Sequence, residues 1–483
     1  MLSLSVAVGE SGGDFYNYLL MAKSFLEGGS IFIEKRLPIY ALLLIPGHLI
    51  GHPLGYARVL GIILALLTLY LFYRLLIDLR LPKAVALTSL ILLSWQPTFF
   101  LFSLRPLSHT LFNFEVVLCL LLFHKITRGF TSGSKITKSQ IWKFVAFGLV
   151  LGVTAMTRHE GFLVAGVLMG CLSVLVLGSS LRPRGTSTLA TAETLQVTSL
   201  PILTAVTLGL VVLPWFISNY QRFGNPFYSQ YQTDAGLNVA VTPEKLLRNA
   251  LQMRDIFLGM WGDLGFVSVR EPWLMLTRVE SFGEVVTVAT ILLMLVGLAA
   301  FVKRLGWLFL PIILVFITQA GFLSLVQPWP RHSQHLFFFP ATLLALGTYQ
   351  LLSIKLKRLV GLVVLLILLP VFSYLVKGDQ TALADYIRGV GKTLPLLQAA
   401  KTLNAQYPSG QVLVSKKLED SEFNDYSLIT YYLGGRITTH LTDNPTYILD
   451  YSEWGLGIVA NEKLVPRFNA MNGSYWARIY QIL

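Results

Sequence analysis

Long apolar blocks alternate with short polar connections along most of this chain, and the blocks match the roughly 20 residues that a helix needs to cross the hydrocarbon layer of a bilayer. They run near Gly55–Leu79, Lys83–Ser103, Pro106–Ile126, Trp142–Thr157, Phe162–Ser180, Ser199–Ile217, Glu284–Val302, Gly306–Val326, Ser333–Leu352 and Leu359–Val376. A helix satisfies all its backbone hydrogen bonds within itself, so the pattern predicts about ten transmembrane helices. After Val376 the apolar blocks stop. Runs with strand character at Gln411–Ser415, Arg436–His440, Thr446–Tyr451 and Ala477–Ile482 alternate there with helical stretches, one of which ends at Gly434-Gly435 as a glycine C-cap would. The fold class is therefore a multi-pass α-helical membrane protein with a small C-terminal α/β soluble domain. Residues 1–376 form the membrane part, with a first loop at 1–54 and a long loop at 218–283, and residues 377–483 form the soluble domain.

Lys and Arg concentrate at every second connection: Arg80/Lys83, the stretch from Lys125 to Lys143, Arg182/Arg184, Lys303/Arg304 and Lys355/Lys357/Arg358. Short cytoplasmic loops carry such an excess, so the alternate connections at Arg105, Arg158 and Arg331, together with both long loops and the C-terminal domain, are predicted on the extracytoplasmic side of the cell membrane. That topology leaves Met1–Pro53 outside with nothing upstream to carry it across, which predicts a missing first membrane helix.

Composition agrees with the pattern. With 54% hydrophobic and 13% charged residues, the chain has too little polar surface for a soluble globule. The net charge of +13 sits in loops at membrane ends, so it points to a membrane rather than to nucleic acid. Cys119 and Cys171 lie within apolar blocks and read as small hydrophobes, not as a disulfide.

Candidate chemistry gathers on the predicted outer face. Asp14, in Gly12-Gly13-Asp14-Phe15-Tyr16-Asn17-Tyr18, begins a helical pattern that runs to Glu27 and stops at Gly28-Gly29. It reads either as an N-cap or as a general base above the lipid surface, with Glu10 as a weaker second carboxylate. Arg158-His159-Glu160 fills a very short connection; Arg158 either closes the turn on Glu160 or binds a phosphate through its fork of donors. Arg331, His332 and His335 lie in an unusually polar connection, where the two histidines read as hydrogen-bonding groups, since zinc would need more ligands. Arg105 and Arg222 are further basic candidates near membrane ends. Asn472-Gly473-Ser474 fits a glycosylation sequon.

The run from Gly13 to Leu44 (GDFYNYLLMAKSFLEGG, then RLPIYALLL) resembles the first extracytoplasmic loop of the GT-C lipid-linked sugar transferases, the group of protein O-mannosyltransferases and aminoarabinose transferases. In order follow Arg105-Pro106-Leu107-Ser108, Gly152–Gly161 (GVTAMTRHEG), Leu213–Tyr228 (LPWFISNYQRFGNPFY) and Tyr431-Tyr432-Leu433-Gly434-Gly435-Arg436, so the resemblance covers most of the chain. It implies an inverting transfer of a hexose or pentose from a polyprenyl-phosphate carrier to a hydroxyl on a glycan, lipid or protein. Carried over residue by residue, it makes Asp14 the base, Arg331 the donor-phosphate ligand, and Tyr18 and Tyr40 parts of the substrate site. The chain departs from the family in lacking the first helix, and in having one Asp where several relatives show an acidic pair. No cofactor is required by this reading, although a divalent metal is compatible with it.

A transporter and a glycan polymerase or ligase are the alternatives. Transporters place ionisable residues near mid-membrane, whereas here the helix centres are nearly free of them and polar residues collect at helix ends.

Overall fold

The computed structural model of the chain describes residues 13–29, 36–105, 107–131, 138–180, 188–228, 242–258, 281–306, 309–326, 330–352, 394–415, 425–440, 443, 445–452, 464–472 and 474–482. The expected span Leu359–Val376, most of the long loop, Glu10 and the side chains of Asp14 and Arg331 lie outside the described residues. Two helices, α1 (Gly13–Leu26) and α2 (Ile39–Leu49), precede the bundle. The bundle comprises α3 (Pro53–Asp78), α4 (Lys83–Ser94), α5 (Pro97–Leu104), α6 (Ser108–Thr131), α7 (Lys138–Thr157), α8 (Glu160–Ser180), α9 (Thr188–Phe223), α11 (Ser281–Leu305), α12 (Phe309–Val326) and α13 (Phe338–Leu352). Helix α10 (Pro243–Leu258) lies on α12, and a 3-10 turn at Pro330–Leu336 leads into α13.

Among the described residues, six helices are long and apolar enough to cross a membrane, and the chain is a multi-pass membrane protein as its pattern predicts. Exposed Leu66, Val174 and Leu210 face outward from these helices. In lipid such a surface carries no cost, because the tails are as apolar as leucine.

One predicted span is corrected. Lys83–Ser103 is two helices, α4 and α5, because Pro97 has no N–H to continue the ladder and disfavours helical backbone in the residue before it. Gln96 adopts extended backbone there and caps the new helix by accepting from the Phe99 N–H at 2.5 Å. The predicted span Ser199–Ile217 is the middle of a longer helix, α9, which contains Pro201 and Pro214.

Bare backbone lets two helix pairs close. Gly148 and Gly152 of α7 sit against Thr204, Thr207 and Val211 of α9. At the α11–α13 crossing, a methyl added at Gly297 would overlap the Leu343 carbonyl, and one added at Gly347 would overlap that of Leu293. Small residues at such crossings are what bring helices together where lipid removes the hydrophobic drive. Gly297→Ala should therefore destabilise the bundle by about 1–3 kcal/mol, read as a lower unfolding temperature in detergent; an unchanged temperature would mean that α11 and α13 separate freely.

The C-terminal domain holds α14 (394–406), α15 (Asp425–Leu433) and a five-stranded sheet. Its strands are β1 (Val412–Leu413), β2 (Ile437–Thr438), β3 (Tyr447–Tyr451), β4 (Leu464–Asn472) and β5 (Tyr475–Ile482), in the order β2-β1-β3-β5-β4. Strand β1 pairs in parallel with β2 and β3, while β5 runs antiparallel to β3 and β4. Gly434, with φ +59°, ends α15 as expected of a glycine C-cap. Strand β4 is an addition to the predicted set.

Candidate functional site

Helices α6 and α8 start, and α7 ends, at the same end of the bundle as α1 and α2. The connection between α7 and α8 is tight. Gly161 lies so close to the Thr154 carbonyl that a side chain there would collide with it, and the Gly161 N–H bonds the Arg158 carbonyl at 2.9 Å. This turn folds Arg158 back onto Glu160, with Nη2 donating to Oε1 at 2.7 Å and both side chains nearly buried. Glu160 stands in the first turn of α8, where the positive helix end favours an acid. The turn-closing pair anticipated from sequence is thus formed, and Arg158 also reaches out from it.

Its Nη1 is 3.5 Å from Ser108 Oγ, at the start of α6, and Tyr18 Oη of α1 donates to the same oxygen at 2.9 Å. The ring of Tyr18 is further held edge-on against Tyr40 of α2, centroids 5.0 Å apart, with the Arg36 guanidinium 5.9 Å from its centroid. A continuous path of contacts therefore joins α1, which carries Asp14 in its first described turn, to the buried Arg158–Glu160 pair.

On the far side, Gln319 of α12 donates to the Glu160 backbone carbonyl at 2.8 Å and meets His335 Nε2 at 3.3 Å. In a 3-10 helix, residues three apart stack over one another. His335 sets its ring against Phe112, centroids 4.9 Å apart, and His332 stacks on His109 at 5.5 Å. Asn113 donates to Gln334 Oε1 at 2.9 Å, which pins the same turn to α6. Among the described residues no group of three His, Cys, Asp or Glu side chains is placed to hold a metal. His159, beside Trp215 at 6.3 Å, is pulled down to about 4 by burial and stays neutral at neutral pH.

Of the residues singled out from sequence, Tyr18, Tyr40, Arg158, Glu160, His332 and His335 converge here. Arg105 lies near the cluster, 5.4 Å from the Phe102 ring that packs against His109. Arg222 is exposed in the last turn of α9, two turns beyond Trp215. Cys119 and Cys171 are both free.

Arg36 and Ser108 stand in the motifs RLPIYALLL and Arg105-Pro106-Leu107-Ser108 without a role of their own in the sequence reading, and His109, Gln319 and Glu115 were missed. Glu115 is buried one turn inward from Phe112 and accepts from Thr157 Oγ1 at 2.8 Å, while its Oε2 meets no donor among the described residues. A lone acid, and a lone Gln319, inside apolar blocks were signals available in the sequence.

Beneath the cluster an apolar slot runs toward the opposite end of the bundle. His335 stands at its head, and Phe72, Leu75, Leu120, Phe316 and Thr342 line its course.

Neither a family model nor a curated protein matches the sequence. Solved structures do match in fold. ArnT from Cupriavidus metallidurans bound to undecaprenyl phosphate superposes with a TM-score of 0.59 at 11% identity, over 99% of this chain and 95% of that one. The archaeal oligosaccharyltransferase AglB from Archaeoglobus fulgidus, in complex with an inhibitory peptide and a dolichol-phosphate, gives 0.56 at 13% identity, over 97% of this chain and 70% of that one. The Archaeoglobus fulgidus oligosaccharyltransferase tethered with an acceptor peptide gives 0.56 at 15% identity; this chain covers 60% of its length. The chain shares the fold of these proteins, and among its described residues that fold is a helical membrane bundle followed by a small C-terminal sheet domain.

Proposed function

We propose that the chain is a membrane glycosyltransferase that moves one sugar, a hexose or a pentose, from a polyprenyl-phosphate carrier to an acceptor hydroxyl on the extracytoplasmic face, with inversion. The observation that carries this reading is the path of contacts from α1 through Tyr18 and Ser108 to Arg158 and Glu160, which ties the Asp14-bearing helix to a buried guanidinium at one bundle end. Fold likeness to enzymes bound to undecaprenyl phosphate and dolichol-phosphate supports the class of carrier. The bilayer is the second partner, and the acceptor is a glycan, a lipid or a protein.

In the reaction, Asp14 takes the proton of the acceptor hydroxyl as its oxygen bonds to the anomeric carbon from the face opposite the phosphate. The bond from anomeric carbon to phosphate oxygen breaks with its electron pair, and the carrier leaves as a polyprenyl phosphate. Arg158, Arg331 and Arg36 meet the charge that builds on that phosphate. Guanidinium forks suit this task because they keep their charge when half-buried and match two phosphate oxygens at once. Position 14 precedes Tyr18 by one turn of α1, a spacing that supports reading Asp14 as the base. The slot below His335 takes the first isoprene units.

Purified protein given radiolabelled polyprenyl-phosphate hexoses and pentoses should transfer label to acceptor in detergent, with no membrane to cross. A protein that moves labelled substrate across vesicles but transfers none in detergent would be a transporter. The slot has its own test. Leu120→Trp should raise KM about tenfold, a loss of roughly 1.4 kcal/mol of binding, for a prenyl-phosphate donor and leave a donor whose phosphate carries no isoprene unit unaffected. Equal effects on both donors would place the tail elsewhere.

A further inference from the structure

The C-terminal domain and the first helix share one core. Phe15, Tyr16 and Leu19 of α1 are buried in the same apolar cluster as Leu397, Leu428 and Leu449 of the domain. At the edge of that cluster stands Tyr431 in the last turn of α15. Its ring centroid lies 5.9 Å from that of Tyr16, 5.9 Å from that of His48 at the end of α2, and 5.8 Å from the Lys23 ammonium. Tyr432 packs edge-on against Tyr431 at 4.9 Å and has Lys401 of α14 over its own ring at 5.9 Å. Burial pushes the Tyr431 phenol up to about 12 and holds His48 below its usual value, so Tyr431 remains an uncharged ring and His48 tends to a neutral one at neutral pH. Lys23 is the cation of the group. Such a cation is drawn to the negative face of the ring and more strongly where water is excluded.

The geometry of α1 gives this cluster a consequence. Tyr16 and Lys23 are seven residues apart, two helical turns, and share one face. Tyr18 is offset from Tyr16 by about 200° and projects from the opposite face. The helix is therefore gripped on one side by Tyr431 of the C-terminal domain and on the other by Ser108 of the bundle. Asp14 is two residues before Tyr16. Tyr18 also packs on Tyr40, and Phe15, Tyr16 and Leu19 on the shared core; Tyr431 adds to these the aromatic and cation contacts of the domain side.

We propose that Tyr431 is a positioning residue for the transfer reaction: it clamps α1 through Tyr16, Lys23 and His48, so that the C-terminal domain sets where Asp14 stands relative to Arg158. This rests on the reading of Asp14 as the base. The domain thereby acts on the rate of the chemical step, and donor binding is left to the bundle. A base displaced by about 1 Å costs up to roughly 10²-fold in rate.

The test uses the full-length protein with radiolabelled polyprenyl-phosphate sugar, measuring kcat and donor KM for Tyr431→Ala, Tyr431→Phe and Asp14→Asn. Tyr431→Ala should lose roughly 10–100-fold in kcat with donor KM unchanged, and Tyr431→Phe, which keeps the ring between Tyr16, His48 and Lys23, should restore it. Wild-type kcat in Tyr431→Ala, an effect on KM alone, or equal losses in the Ala and Phe variants would each overturn the clamp. Should Tyr431→Ala not accumulate in folded form, Tyr431→Leu keeps the apolar volume without the aromatic face and is held to the same expectations. If Asp14→Asn is inactive while Tyr431→Ala turns over normally, the clamp fails and the base assignment stands. If Asp14→Asn turns over normally, the base assignment falls first.

Discussion

Asp14→Asn should lower kcat by about 10²–10⁴-fold, the contribution of a positioned general base, and leave the protein folded. Asparagine keeps the size and hydrogen-bonding reach of the side chain at the start of α1, and it is as good a residue as aspartate near a helix N-terminus. What it removes is the ability to accept a proton. A residue that serves only the helix end would therefore give an Asn variant with full turnover, and that outcome would strike Asp14 from the mechanism whatever the enzyme class. Donor KM should change little, because the phosphate and the prenyl chain are held by groups on other elements. A drop in kcat and kcat/KM together is the signature of an interaction made only in the transition state. Asp14→Ala should fall as far as Asp14→Asn, since neither carries a base.

The bundle was legible in the sequence for a simple reason: a bilayer demands about 20 uninterrupted apolar residues per helix, and little else produces such a block. Where the block continued but the backbone could not, the pattern misled. Apolar composition flows from Lys83 through Ser103 without a gap, and the break at Gln96-Pro97 shows only as a missing backbone donor. Strand β4 was hidden for the opposite reason. It lies at the edge of the sheet, carries Arg467, Asn469 and Asn472, holds Pro466 at an irregularity in its pairing, and has mostly half-buried or exposed side chains, so it lacks the alternation that marks a strand. In the site, residues that sit together in sequence were readable: Arg158 with Glu160, and His332 with His335. Their partners were not. Ser108 joins Tyr18 across 90 residues and Arg158 across 50, and Gln319 meets Glu160 across 159. No local pattern encodes which polar residue in one apolar block will face which in another, so these pairings emerge only from the packed bundle.

The Arg158–Glu160 pair offers the second large effect, because stability and catalysis should come apart there. Removing one member of a buried ion pair leaves its partner charged and desolvated, and Glu160→Leu should cost about 3–5 kcal/mol of stability. The guanidinium still has Ser108 and, 5.9 Å away, the face of Phe112 among its contacts. Replacing both members with apolar residues of similar size removes that penalty. The double variant Arg158→Met/Glu160→Leu should thus recover most of the unfolding temperature lost by Glu160→Leu alone. If the pair merely closes the turn between α7 and α8, the double variant will also recover transfer. If Arg158 meets the leaving phosphate, transfer will stay at least about 10²-fold down, the scale of losing one preorganised charge contact in the transition state, despite a restored fold. Measuring unfolding temperature and kcat/KM on the same three preparations separates the two roles. A double variant that is stable and active would return Arg158 to the turn and leave the phosphate to Arg331 and Arg36.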